Sequence, residues 1–295
     1  MKRIGNVVVI EFRKAFVSKK FLLGAALLLI FSMLSAVYMI ESRAGYNPTS
    51  IMESMKDGEL TRNPTLSLIT FYNSWVGGDE LSLAAALFYT LLPVGAALPF
   101  GWSYYVERKK GYLKNIYSRV DKKTYLTGKA IAVFLSGAAV VAISLVVNIL
   151  LVLARIPLIT PFVWYNLYNH VYFGSLWSDL YFSTPELYIL LFALLDVVYG
   201  GVFALFSFAV GFYFRNILAV LFSPFLFMVA ANYVESVIQS RMSGRVPVEF
   251  VPTQFLHPQG STYRIMGWAV VLVTALLLGF SIVTIYFRGV RHETL

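Results

Sequence analysis

The sequence predicts an all-α integral membrane protein with six transmembrane helices, an N-terminal amphipathic interfacial helix and both termini in the cytoplasm. Three observations predict it. Hydrophobic residues fill 58% of the 295 positions and charged residues only 13%, against roughly 45–50% and about 25% in a soluble domain. Next, a hydrocarbon core about 30 Å thick takes ~20 apolar residues of helix, and uncharged runs of that length stand at 21–40, 81–106, 130–154, 216–234 and 265–287, while a sixth, 187–214, carries one acid, Asp196. Third, 17 of the 24 Lys and Arg residues lie in the N-terminal arm, in segment 107–129, at Arg215 and in the tail, leaving 7 for the three other loops. By the positive-inside rule the first group is cytoplasmic.

The net charge of +9 is accordingly an orientation signal and an attraction to anionic headgroups, not a nucleic-acid footprint. A chain without Cys has no disulfide, thiolate metal site or thiol nucleophile. The run 21–40 is too long for the core of a secretory signal and ends in "ESRAG", so it is expected to stay as the first span.

Residues 1–20 read as an amphipathic connecting helix, since Ile4, Val8, Phe12, Ala15 and Phe16 share a helical face while Arg3, Asn6, Arg13 and Lys14 lie largely elsewhere. The alternative is a merely basic flank. Residues 21–295 then form one six-helix domain. Its first outside loop, 41–80, holds six acids and ends in "LSLITFYNSWV", apolar enough to touch the membrane. Pro93 and Pro99 in "PVGAALPFG" predict a kinked second helix that neighbours approach closely.

In the second outside loop, 155–186, Asn166, His170, Gly174 and Ser178 recur at i+4, leaving Trp164, Tyr165, Tyr168, Tyr172, Trp177 and Tyr181 around the rest of the helix. Such rings favour the headgroup level, so an interfacial helix is expected, serving either as an anchor or in substrate handling. Arg215-Asn216 makes a tight cytoplasmic turn, and the third outside loop, 235–264, with Pro247, Pro252 and Pro258, suits a short re-entrant or interfacial helix followed by an irregular return.

Catalytic constellations are missing. There is no H-E-x-x-H, and the three His, at 170, 257 and 292, have no zinc-site spacing. "TGKA" at 127–130 lacks the first glycine of a P-loop and opens a membrane span, so no nucleotide site is encoded, and no catalytic residue, metal or cofactor is expected on this chain. Asp196 is the one ionisable group in the middle of a span, where a charge costs at least about 2.5–3.5 kcal/mol. Two readings stand: a coupling or transport-path residue, or a buried acid hydrogen-bonded to a neighbouring helix. Gly200-Gly201 beside it permit a bend or close packing.

Segment 107–129, "ERKKGYLKNIYSRVDKKTYLTGK", interrupts the apolar pattern. Tyr112, Leu113, Ile116, Tyr117 and Val120 form an apolar stripe on a short helix, with Lys114, Asn115 and Arg119 facing away. A helix of about three turns needs a surface to bury that stripe, either lipid headgroups or a partner protein. Glu107 at its start favours the positive helix N-terminus.

At these residues the chain resembles the ABC-2 type permeases, the membrane subunits of ATP-binding-cassette exporters. Their pattern after the second span runs approximately E-R-x-x-G-T-L-x-x-L-L-x-x-P-x-x-R, with G-K opening the third. Glu107, Arg108, Gly111, Leu113, Ile116 and Tyr117 match or substitute conservatively, Lys123 stands near the Arg position, Gly128-Lys129 closes the pattern, and Tyr112 and Val120 replace the usual Thr and Pro. The resemblance implies a permease subunit of the cell membrane that is not itself an enzyme. It would pair with a second permease and be driven by a separate ATPase using ATP and Mg, docked on a coupling helix over 107–123, with a smaller contact at Arg215 and Asn216. It also implies a path between the permeases, to which Asp196, Asn232 and Tyr233 are the candidate contributors. The competing expectation is an ATP-independent transporter or channel with Asp196 as its ion- or proton-coupling site. The transported substrate is not encoded in any motif.

Overall fold

A computed structural model of the chain describes residues 2–45, 70–161, 171, 175–241, 248–258 and 264–292. Helix α1, Lys2–Phe16, ends at a turn where the Ser18 hydroxyl accepts from the Phe21 amide at 3.1 Å and so caps the next helix, α2, Lys19–Gly45. That cap, and a polar last turn, make α2 longer than the apolar run 21–40. On α1 the inward stripe is Val7, Glu11 and Ala15, all buried, while Val9, Ile10 and Phe12 stay exposed.

The second span departs from expectation. Residues 81–106 do not form one kinked helix: α3, Leu83–Ala97, stops, residues 98–102 turn, and α4, Ser103–Lys109, follows. Pro93 is tolerated inside α3, but Pro99 has no N–H to give and its ring crowds the carbonyl four residues back. Gly101 then lets the turn lie against α8, Pro185–Val210: a Cβ there would fall 2.9 Å from the Ser207 hydroxyl.

The charged segment is also split. Gly111 adopts φ 70, a left-handed conformation only glycine takes freely, and it divides α4 from α5, Tyr112–Tyr117. The expected three-turn helix is thus six residues long, and Glu107 sits in the last turn of α4 rather than at a helix start. Helix α6, Lys122–Leu153, begins eight residues before the apolar run at 130, because Asp121 accepts from the Thr124 amide at 2.9 Å as its N-cap.

Five of these helices are long and apolar enough to cross a bilayer: α2, α6, α8, α9 (Ile217–Arg241) and α11 (Gly267–Thr284), which continues into a π-helical segment, Ile285–His292. The chain is therefore a multi-pass, all-helical membrane protein. Its most extensive helix contact joins α6 to α8, and α9 is the most peripheral span, burying Val220, Pro224, Met228 and Glu235 along one side while Leu218, Phe222, Leu226 and Val229 face outward.

The end of segment 41–80, expected at the membrane surface, turns into the bundle instead. Phe71, Tyr72, Trp75 and Val76 are buried in the main core. Asn148 of α6 holds them there, accepting from the Val76 amide at 2.8 Å and donating to the Ser32 carbonyl at 2.7 Å. Asp79, fully buried, accepts from the Ser35 hydroxyl at 2.6 Å and from the amides of Leu81 and Ser82. Replacing Asn148 by Ala orphans the buried Val76 N–H, at about 1–3 kcal/mol, and strips the Ser32 carbonyl of a second bond beyond its own helix's. The expected result is a clear drop in the unfolding temperature in detergent, with new protease cleavage near Trp75.

The interfacial helix anticipated in 155–186 falls mostly outside the described residues. The end of that loop is the short helix α7, Ser178–Ser183, whose Tyr181 is buried against Tyr188 rather than set on an outer surface. In the third outside loop α9 runs on through Arg241, so no new helix starts at 235. The short helix is α10, Pro252–Leu256, flanked by the two-residue parallel pair β1 (Val248–Glu249) and β2 (Arg264–Ile265).

Candidate coupling and path sites

The polar centre of the basic end is a buried ion cluster built from three elements. Lys129, on the second turn of α6, is closed to solvent, with Nζ 3.0 Å from Glu11 Oε2 on α1 and 2.6 Å from Glu107 Oε2 on α4. The Tyr125 hydroxyl donates to the same Glu107 oxygen and accepts from Lys129 at 3.2 Å, while Lys14 reaches Glu11 Oε1 at 2.5 Å. Phe100 and Tyr125 present ring faces to the Lys129 ammonium, 4.6 and 5.4 Å away. Burial acts to lower the Lys14 ammonium, but the hydrogen bond to Glu11 and the charges of Glu11 and Glu107 outweigh it and raise the group above its ordinary range. Gly128 lets α1 come this close, since a Cβ there would sit 2.8 Å from Val7 Cγ1.

The two ends of the E-R…G-K motif are thus bonded to one another, and both to the N-terminal helix. Glu107 is spent inside the chain. Arg108 likewise turns back, donating from Nη1 to the Phe212 carbonyl at 3.2 Å, and Tyr105 donates to the Arg215 carbonyl at 2.6 Å. These bonds bring the 215–216 turn alongside α4, so both parts of the expected coupling contact share one end of the molecule. Asn216 caps α9 by accepting from the Leu218 amide at 2.9 Å.

The apolar stripe finds most of its surface within the chain. Leu113 is fully buried in a cluster with Val7, Phe100, Tyr104, Tyr125 and Phe208, and Ile116, Tyr117 and Val120 pack against its edge. Tyr112 alone of the stripe stays outside, 43% exposed. Gly111, Lys114, Asn115 and Arg119 surround it on the solvent side.

Further along the bundle, near the middle of α8, Asp196 is fully buried. The Tyr89 hydroxyl of α3 donates to its Oδ2 at 3.0 Å, and its Oδ1 has no hydrogen-bond partner among the described residues. The Tyr89 ring stacks on His257 at 4.4 Å. His257 follows α10, whose Thr253 donates to Asn232 Oδ1 at 2.7 Å and whose Phe255 meets Tyr199 edge-on at 5.3 Å. The short helix therefore links Asn232 to the neighbourhood of Asp196, whereas Tyr233 points away, 71% exposed. Gly200 and Gly201 serve packing: a Cβ on Gly200 would meet the Gly137 carbonyl at 3.0 Å, and one on Gly201 would meet the Phe134 ring at 2.5 Å.

Glu11, Tyr125, Tyr89 and His257 do not stand out in the sequence. A signal existed for Glu11, the single acid in the first 40 residues, placed four residues after an inward Val7. None existed for the Tyr89–Asp196 bond, which spans 107 residues. In comparisons with protein-family models, with curated proteins and with solved structures, nothing matches the chain.

Proposed function

We propose that this chain is the permease subunit of an ABC-2 type exporter in the cell membrane. It pairs with a second permease and is driven by a separate ATPase that binds ATP and Mg. In this reading α3 and α4 together make the sixth span, and the basic end, with both termini, faces the cytoplasm. The observation that carries it is the charged motif, anchored from behind by Glu107, Arg108 and Leu113 and presenting Tyr112, Lys114, Asn115 and Arg119 outward. A platform fixed to α1, α6 and the 211–216 turn transmits a push to the helices, while a mobile basic loop would dissipate it. The direct contacts are then Tyr112 and its polar neighbours, and Leu113, Ile116, Tyr117 and Val120 hold the platform to the bundle. An exposed aromatic with exposed basic residues beside it in sequence suits a partner groove with an apolar floor and acidic rim.

The test is co-purification of the tagged chain followed by sequencing of what it retains. A partner carrying a G-x-x-x-x-G-K-[ST] motif is expected, and Tyr112→Asp should cut its recovery about tenfold, a loss of ~1.4 kcal/mol, without lowering the unfolding temperature of the chain itself. Recovery of no such ATPase, with Tyr112→Asp indistinguishable from wild type, overturns the reading.

One observation favours the ATP-independent alternative: a carboxyl group sealed in the bundle, one oxygen without a hydrogen-bond partner among the described residues and the other bonded to a Tyr that stacks on a His. Under it, the chain alone in proteoliposomes should pass protons down a pH gradient, and Asp196→Asn should stop the flux. Tight vesicles with wild-type chain eliminate this alternative.

A further inference from the structure

A groove of about 440 Å³ runs along the outside of the bundle between α6 and the end of α11, where no element among the described residues covers it. Its α6 wall is Lys123, Thr127, Ala130, Ile131, Phe134 and Leu135, an i, i+4, i+7, i+8, i+11, i+12 stripe that spans about 18 Å at 1.5 Å per residue. Leu205 of α8 lies at its floor, and Ile282, Ile285, Tyr286 and Val290 form the facing wall. That wall leaves the α-helical path at Ile285, where the π turns begin, a feature often found at functional positions. Gly289 closes the gap at one point, for a Cβ there would strike Leu126 Cδ1 at 2.6 Å. Above it the helices stay apart.

The groove has a polarity. One end holds Lys123, which has no ion-pair partner among the described residues, with the hydroxyls of Thr127 and Tyr286 nearby. Beyond them every lining residue is apolar. A hydrocarbon chain with an anionic head matches that polarity, an apolar lining along its length and one cation at its end.

We infer that this groove binds one anionic phospholipid of the leaflet at the basic end, with an acyl chain lying along Ala130–Leu135 against Leu205 and Ile282, and the phosphate held by Lys123. Attraction of an anionic headgroup to one such cation is about 1 kcal/mol, or about fivefold in preference. The site is independent of the ATPase reading, because the chain alone carries all of it.

The full-length chain, without any partner, is reconstituted in nanodiscs of phosphatidylcholine with a minor share of phosphatidylglycerol, released into detergent, and its retained lipids identified by mass spectrometry. Wild type is expected to retain phosphatidylglycerol about fivefold over its share. Lys123→Glu should abolish that preference, inorganic phosphate should not compete for it, and Ala130→Trp, which fills the groove, should lower retention of both lipids. A benzophenone side chain at Ile131 should crosslink to lipid. Unchanged enrichment in Lys123→Glu, undiminished retention in Ala130→Trp, displacement by inorganic phosphate, or a crosslink from position 131 to protein each overturns the proposal.

Discussion

Lys129→Met is expected to destabilise the protein by about 3–5 kcal/mol, the usual cost of stripping one partner from a buried ion pair. The side chain is closed to water and, among the described residues, is the only cation in direct contact with both Glu11 Oε2 and Glu107 Oε2. Methionine keeps the volume, so the loss isolates charge rather than packing. Glu11 retains Lys14 at 2.5 Å, whereas Glu107 keeps only the Tyr125 hydroxyl and a Lys14 contact at 3.9 Å. The consequence is local as well as global: α1 loses its polar tie to α6, and protease should reach the N-terminal arm before the spans unfold. Adding Glu107→Gln to Lys129→Met removes the stranded charge and should recover part of the loss. An unfolding temperature for Lys129→Met equal to that of wild type would show that water reaches the cluster.

Gly137→Leu should be comparably severe, through packing alone. A bare Cβ at Gly137 would fall 2.5 Å from the Ala204 Cβ and 2.6 Å from the Gly200 carbonyl. Neither α6 nor α8 can yield at that point without parting. In lipid, helices gain little from hydrophobicity and associate through close contact of small residues, so separating the two largest partners removes the contact that organises the bundle. A loss of ~3 kcal/mol or more is expected, seen as aggregation on size exclusion in detergent. Gly279→Leu is the control, since nothing lies within 4 Å of a Cβ there, and it should purify as wild type does. If the two variants behave alike, the α6–α8 crossing is not tight.

The spans that proved readable are those the bilayer dictates. Twenty uncharged residues have few places to go but across, and α2, α6, α8, α9 and α11 follow. Their ends were less legible because caps decide them. Ser18, Asp121 and Asn216 each satisfy amides at a helix start, which lengthens α6 well into charged sequence that hydropathy alone would discard. The break at Pro99 was half legible: proline signals a disturbance, but whether the helix bends or stops depends on what packs against the gap. At the charged segment the stripe Leu113–Ile116–Tyr117 correctly indicates an apolar surface, yet its location in the chain's own α1, α6 and α8 is set by contacts some hundred residues away. Asp196 announces itself, while Tyr89 and His257, ordinary in sequence, become its company only through the fold.

The bond from Glu11 to Lys129 spans 118 residues. At roughly 5–20 residues made per second, the acid emerges about 6–24 seconds ahead of its cation. Through that interval the α6 partner of Glu11 is missing, and a carboxylate paired only with Lys14 of its own helix is costly to place inside hydrocarbon. It must wait in water, held near the headgroups by the Lys and Arg beside it, until the third apolar run has inserted and turned Lys129 inward. The first helix to be synthesised is therefore seated no earlier than the third apolar run, and the seating of that acid joins the two ends of the basic cluster.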